Sequence, residues 1–416
     1  MANNLPNNEE RRKLAELRSI DEVRKRLQIQ RILGDDYKPK VKVRIAHAIP
    51  HFWNSIQTVA EAFSQNDELE VEIVLCSTNA DERRQMKQQM EEGHYKYKYV
   101  EDYKIEVDKP EIVVFNIANT DVFFKMWGGG ENIRRNAKYI AVIPYDNSVK
   151  FESADRMDRY YDSLIDLSPD IFIVAKPIYK IIKNKYANTI QMDSPKFDII
   201  YRKMNHERNI PESWRKLNGK KIILWTTTHG HDEWCSDTFQ VALSFDVYVR
   251  DVLAYFKAHQ NVGLIFRPHP DYIHELVYTH KIWTEDDLYY IKNYFYHSDN
   301  MVWDDSADYS CAFAMSDCLI TDDATGITLS YLPTRKPICI LRRNKVEIYS
   351  GTLSVTENYY KSHDFSELQH FFGMVEQGED PLYQKRMNTV EEYIPVFDGK
   401  NGMRIVDKIL DDYGSK

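Results

Sequence analysis

Ten short apolar runs, separated by segments long enough for helices, restrict this chain more than any other feature. Five come first: VKVRIAHAI (41–49), VEIVLCS (71–77), EIVVFNI (111–117), YIAVIPY (139–145) and IFIVAK (171–176). Five follow: KIILWTTT (221–228), VGLIFRP (262–268), NMVWD (300–304), CLITDD (318–323) and PICIL (337–341). A run apolar at successive positions is a strand covered on both faces, and such strands alternating with helices make a parallel sheet. The rhythm stops and restarts across the polar, Pro-containing stretch YRKMNHERNIPESWRKLNG (201–219), which reads as a linker and hinge. A chain of 416 residues exceeds one core of usual size. The expectation is therefore α/β, with two Rossmann-like, doubly wound parallel-sheet domains facing each other across a cleft.

Three units follow from this division: a helical N-terminal extension over 1–40, a first domain over 41–205 and a second over 206–416. Within the extension, Ser19-Ile20-Asp21-Glu22 has the form of a capping box, and residues 9–33 carry eight Lys or Arg against five Asp or Glu. A helix packed on its own domain is the plainer reading of that segment, and contact with an anionic membrane surface is the other. No apolar run is long enough to span a bilayer and no secretory signal is visible, so the expected location is the cytoplasm or the inner face of the membrane. Five scattered cysteines without CxxC spacing suggest reduced, packed thiols and no zinc site. A net charge of −9 argues against general nucleic-acid binding.

Ligands of open α/β sheets bind beyond the C-terminal ends of the strands. Neither GxGxxG nor GxxxxGK[ST] occurs, and WGGGEN (127–132) reads as a loop. Three clusters do sit at strand ends in the second half: TTTHGHDEW (226–234), RPHP (267–270) and TDDATGITLS (321–330). In RPHP two prolines stop the strand and stiffen a cation and an imidazole, so Arg267 and His269 form a candidate diphosphate clamp. His269 could instead cap neighbouring carbonyls. In the third cluster a strand gives way to a helix start whose amides at Ala324, Thr325 and Gly326 suit an anion, although Asp322 and Asp323 would repel it unless one caps the helix and points away. An ordinary N-cap without a ligand fits that segment equally well. His229 and His231 make an HxH pair, and His229 is assigned to phosphate in preference to a metal.

The ordered set ILWTTTH, FRPHP, SDCLITDDATGITLSYLPTRKPICIL and FDGKNGMRIVDKIL resembles the CDP-glycerol glycerophosphotransferase family, the teichoic-acid primases and polymerases of GT-B fold. DSPKFD (193–198) resembles the family segment that precedes the second domain. The resemblance implies a GT-B arrangement, with the acceptor bound by the first domain and a CDP-alditol by the second. It implies transfer of an alditol phosphate, usually glycerol phosphate, to a hydroxyl of a glycan, teichoic-acid-like or lipid-linked acceptor, with release of CMP. His269 would then engage the donor phosphates. The family's Thr-Asp-Tyr-Ser-Ser turn, which would contact phosphate too, maps to Thr321, Asp322, Asp323, Ala324 and Thr325, so both serines are altered.

Where the family pattern has Trp-His-Gly-Thr-Pro-Leu-Lys, this chain has Pro144-Tyr145-Asp146-Asn147-Ser148-Val149-Lys150, and Tyr145 replaces the histidine. The base that orients the attacking hydroxyl must then be Asp146 or a histidine of AHAIPHFWNS (46–55). His51, beyond Pro50, is preferred, and His47 is expected to be packed in its strand. No cofactor is required; Mg²⁺ is not indicated, although Asp304, Asp305 or Asp322 could hold one. Two other functions share this pattern: a GT-B glycosyltransferase using a nucleotide sugar, and a catalytically silent nucleotide-binding homologue. The final segment should be a helix that closes the structure, with Met403, Ile405, Val406 and Ile409 as its buried stripe.

Overall fold

The computed structural model describes residues 39–117, 121–145, 167–183, 186, 188–206, 210–228, 244–279, 281–322, 326–342 and 353–415, with Arg24, Gln28 and Ile32 of the N-terminal extension. Those three positions are helical and exposed; the proposed capping box at Ser19–Glu22 lies outside the described residues. Each of the ten apolar runs contains a strand. In the first half these are β1 (Val41–His47), β2 (Leu69–Leu75), β4 (Ile112–Phe115), β5 (Tyr139–Val142) and β6 (Ile171–Val174). The second half supplies β8 (Lys221–Thr226), β9 (Val262–Arg267), β10 (Met301–Trp303), β11 (Cys318–Asp322) and β12 (Ile338–Leu341). Three further strands are not marked by apolar runs: β3 (Tyr97–Tyr99), β7 (Thr189–Gln191) and β13 (Tyr360–Ser362). All three lie at sheet edges.

Two separate sheets result, ordered β3-β2-β1-β4-β5-β6-β7 and β10-β9-β8-β11-β12-β13, with every pairing parallel. In each sheet the chain runs outward from one strand, then returns to build on its other side. The reversal falls between β1 and β4 in the first sheet and between β8 and β11 in the second, which is where such sheets leave a crevice. Alternate residues of the central strands enter opposite cores. Val43, Ile45, Ile73, Val114 and Ile173 face one side of the first sheet, while Ala46, Val74, Val113, Phe115 and Val174 face the other. The second sheet divides Ile223, Trp225, Leu264 and Ile320 from Ile222, Leu224, Ile265 and Leu319 in the same way.

Two helices pack across the expected division at 205/206. The Lys196–Asn205 helix puts Phe197 and Ile200 into a core of the second sheet. The Asn401–Gly414 helix returns to the first sheet, where Ile405, Val406 and Ile409 are buried beside Val43, Ile56, Val59 and Phe63. Met403 is not part of that stripe: it is 48% exposed, because two positions before Ile405 the helix already faces solvent. Among its described residues, the stretch expected as a linker is largely built into helix and turn. Its start completes the Lys196–Asn205 helix, and Glu212–Leu217 forms a 3-10 turn that buries Trp214 and Leu217 against the second sheet. WGGGEN turns at Gly128 and Gly129, and a helix begins at Gly130.

Asp198 joins these pieces. Its buried carboxylate accepts from the backbone N–H of Asn401 at 2.9 Å and of Gly402 at 2.7 Å, and from the Thr58 hydroxyl at 3.0 Å. Burial pushes its pKa up, against the N–H donors of Gly402 and Asn401, which favour the charged form. Gly402 must be glycine for a steric reason, since a Cβ there would lie 2.5 Å from the Thr58 carbonyl carbon. The same boundary carries Arg202 Nη1 to Glu61 at 2.6 Å, Lys180 Nζ to Glu392 at 3.0 Å and Asn54 Nδ2 to Asp308 at 2.9 Å. Among the described residues no helix is long and apolar enough to cross a membrane.

Replacing Asp198 by Ala strands two helix N–H groups and a hydroxyl in a dry interface, and should cost about 3 kcal/mol of stability, measurable by denaturant unfolding. Gly402→Ala should destabilise comparably by pushing the last helix off Thr58, whereas Met403→Ala should change stability by less than about 0.5 kcal/mol.

Candidate active site

The first sheet delivers its share of the site at the reversal between β1 and β4. After His47 the chain enters a 3-10 turn, Pro50–Ser55, started by a proline whose missing N–H costs nothing there. The carbonyl of Phe52 accepts from the Asn116 side chain at 3.3 Å and from Ser55 Oγ at 2.6 Å, and Asn116 follows the end of β4. Tyr145, beyond β5, donates its backbone N–H to the Asn116 carbonyl at 2.8 Å and lays its ring on Phe52, with centroids 3.5 Å apart and planes 15° from parallel.

His51 is half-buried on this turn, its ring edge-on to Phe52. Burial pushes its pKa down to about 4; Asp271 opposes the shift, while Arg267 and Lys196 reinforce it. The imidazole is therefore neutral at pH 7, and a weaker base than a free histidine. Asp271 and Arg267 belong to the second domain, so part of the charge that His51 feels comes from the RPHP strand end. His47 is fully buried against Trp53, as expected for a packed residue.

The second sheet brings three strand ends into one row. Thr226 pairs with Arg267 on one side and Thr321 on the other, and the Thr226 and Thr321 hydroxyls meet at 2.8 Å. Arg267 closes its fork on Asp304 at 2.5 Å and on Ser306, whose carbonyl it reaches at 2.6 Å. Its charge is thus partly compensated before any ligand arrives. His269 receives the Asp271 N–H on Nδ1 at 3.2 Å, capping the Pro270–His274 helix, while its own backbone N–H donates to Thr227 Oγ1 at 3.2 Å. A neutral imidazole that accepts at Nδ1 carries its proton on Nε2, so His269 is set as a donor at that atom.

Asp322 is turned away from the helix that follows it. The carboxylate, fully buried, accepts from the N–H of Thr228 at 2.7 Å and of Ser244 at 2.9 Å, and from the Ser244 hydroxyl. It thereby ties the end of β8 to the start of the Phe245–Ala258 helix. The Asp322 side chain does not cap the short helix that follows, and Asp323 lies outside the described residues. Gly326 itself precedes a short helix, Ile327–Tyr331. Asp146, His229, Ala324 and Thr325 lie outside the described residues.

The three acids named for a metal have other partners. Asp304 holds Arg267 and Ser306, Asp305 accepts from Lys292 at 2.6 Å, and Asp322 holds the loop ends. Among the described residues no group of three or more His, Cys, Asp or Glu is placed to hold a metal ion. Four residues of the site carried no assignment in the sequence: Lys196, Asp271, Asn116 and Phe52. Asp271 had a signal, since it stands two residues after His269 at a helix start; Asn116 did not, because its partner lies 64 residues away.

A family model described as CDP-glycerol:poly(glycerophosphate) glycerophosphotransferase matches residues 145–411, more than half of the chain. The chain belongs to that family. The wall teichoic acid polymerase TagF is similar in structure, at 16% identity, with 99% of each chain covered and a TM-score of 0.59. UDP-GlcNAc 2-epimerase from Neisseria meningitidis, bound to UDP-GlcNAc, aligns at 10% identity over 89% of this chain and 99% of that one, with a TM-score of 0.59. A UDP-N-acetylglucosamine 2-epimerase at 13% identity covers 91% of this chain and 98% of its own, with a TM-score of 0.58. No curated protein matches in sequence. At these identities the structural likeness speaks for the fold, two Rossmann-like domains in a GT-B arrangement. The family match begins at Tyr145, the residue that stands in place of the family's histidine and now packs on the turn carrying His51.

Because burial and two nearby cations hold the His51 pKa near 4, an anion entering beside Arg267 should raise it. NMR titration of labelled histidine, assigned with a His51→Ala variant, should show the His51 midpoint moving upward when a cytidine diphosphate ligand is added. The sign for stability is opposite to that of a paired histidine. With a folded pKa below the unfolded value, the His51 contribution weakens as pH falls from about 6.5 toward 4, and His51→Gln should lessen that acid sensitivity.

Proposed function

We propose that this member of the family moves glycerol phosphate from CDP-glycerol to a hydroxyl of a glycan, teichoic-acid-like or lipid-linked acceptor, releasing CMP. The observation that carries the reading is the position of His51. A neutral imidazole from the first domain lies within the electrostatic reach of Arg267 and Asp271, at the strand end where the second domain would hold the donor.

In this reading the acceptor hydroxyl lies against the Pro50–Ser55 turn and loses its proton to His51 Nδ1 or Nε2 as its oxygen attacks the β-phosphorus. The bond from that phosphorus to the oxygen bridging the two phosphates breaks, and CMP departs with the electron pair. His269 donates from Nε2 to the oxygens that gain charge. Arg267, together with the amides near Gly326, adds fixed donors, while Thr321 and Asp322 hold the strand ends that carry them. Phosphoryl transfer of this kind depends on position and charge more than on covalent help from the protein. The loop residues His229, Ala324 and Thr325 belong to the donor side of this proposal, and Asp146 is the second candidate for the base. An acceptor carried on a lipid would place the reaction at the inner face of a membrane.

Incubation with acceptor and CDP-glycerol, CDP-ribitol or UDP-sugars distinguishes the outcomes. CMP formed with a CDP-alditol is expected, UDP formation would overturn the choice of donor, and donor binding without turnover would mark a silent homologue. His269→Ala should lower kcat by roughly 10²-fold. Unchanged turnover would return His269 to its capping role.

A further inference from the structure

His51 stands between two carbonyls that are each held by a side chain from another element. The Phe52 carbonyl is held by Asn116. That of Pro50 accepts from the amide nitrogen of Gln89 at 3.0 Å. Gln89 belongs to the Ala80–Glu92 helix, which is fixed by the Asn79 side chain capping Asp81 and Glu82 and by the fully buried Met86 and Met90.

The other end of the Gln89 amide meets His47. Its oxygen lies 2.9 Å from His47 Nε2, and because the amide nitrogen already donates to Pro50, this oxygen must be the acceptor. His47 therefore carries its proton on Nε2. Its Nδ1 is left buried with no hydrogen-bond partner among the described residues, which costs stability. Burial also pushes the imidazole pKa down to about 4, so the ring stays neutral. Packing alone does not account for a histidine here. An apolar side chain would fill the space beside Trp53 without stranding a nitrogen. What it would lack is the Nε2–H that obliges Gln89 to turn its oxygen inward and its nitrogen toward Pro50.

We propose that His47 and Gln89 are positioning residues for the transfer reaction, a relay running from the His47 Nε2–H through the Gln89 amide to the Pro50 carbonyl that fixes the turn presenting His51. The inference rests on the role given to His51 under Proposed function. Neither residue touches the reactants. Their effect is geometric, and displacement of a reacting group by about 1 Å can cost on the order of 10²-fold in rate.

The test is Gln89→Met, which keeps the length of the side chain and removes both hydrogen bonds, with Gln89→Glu as a second variant that can still accept from His47 but cannot donate to Pro50. Both should lower kcat by roughly 10-fold or more, leave KM for the CDP-alditol within about 2-fold, and cause no further loss when His51→Ala is already present. Equal proportional losses with and without His51 would overturn the proposal in favour of general packing. The His51 titration provides a readout independent of turnover. Asp271, Arg267, Lys196 and His47 act on the His51 charge and are unchanged in Gln89→Met, so release of the turn should move its midpoint upward from about 4 in that variant, whereas the new carboxylate of Gln89→Glu raises it by its own charge. An unchanged midpoint in Gln89→Met overturns the relay. Full activity of His51→Ala would instead remove the assigned base, and the relay would then stand or fall on the titration alone.

Discussion

The buried carboxylate of Asp198 is the interaction on which the arrangement of the two halves depends. A charge removed from water survives only if its acceptor sites are filled, and here they are filled by groups from both sides of the molecule. The helix that bears Asp198 packs on the second sheet through Phe197 and Ile200, while the N–H groups it receives open the helix that packs on the first. Thr58 adds a third attachment from the first domain itself. The exposed and half-exposed ion pairs along the same border, such as Lys180 with Glu392, contribute little individually. Asp198 has no such latitude, because its three donors come from both sides of the border.

Within that frame the site is assembled from strand ends whose side chains are already committed to one another. Thr226 and Thr321 bond across the sheet, Arg267 rests on Asp304 and Ser306, and Asp322 gathers Thr228 and Ser244. The consequence is that the dipoles on the proposed donor side are already oriented, which is the condition under which fixed donors lower a barrier. The proposed acceptor side is made differently. A short turn is held by carbonyl contacts at both flanks of His51, and an aromatic pair, Phe52 and Tyr145, occupies the ground where the family pattern has a histidine.

The central strands were legible because most are buried on both faces and so leave short apolar runs, although β1 carries Lys42 and Arg44 within its run. The edge strands Tyr97–Tyr99, Thr189–Gln191 and Tyr360–Ser362 were not, since three residues with mixed burial leave no periodic trace. Two prolines made Arg267 and His269 conspicuous, and family resemblance supplied the chemistry. The guanidinium's engagement with Asp304 could not be read, because that carboxylate is 37 residues away and its direction is a tertiary fact. The same applies to Asp198, where the motif was visible and its purpose was not. Met403 shows the opposite error, a residue apolar in type but placed by helical phase on the outside.

Ile405, Val406 and Ile409 have a bearing on how the chain comes to be folded. Their side chains complete one face of the sheet that β1 begins about 360 residues earlier. During synthesis that face must wait, partly uncovered, until residues 405–409 have left the ribosome. The second domain, meanwhile, can condense around strands it owns. The half that is made first is therefore the half that is finished last.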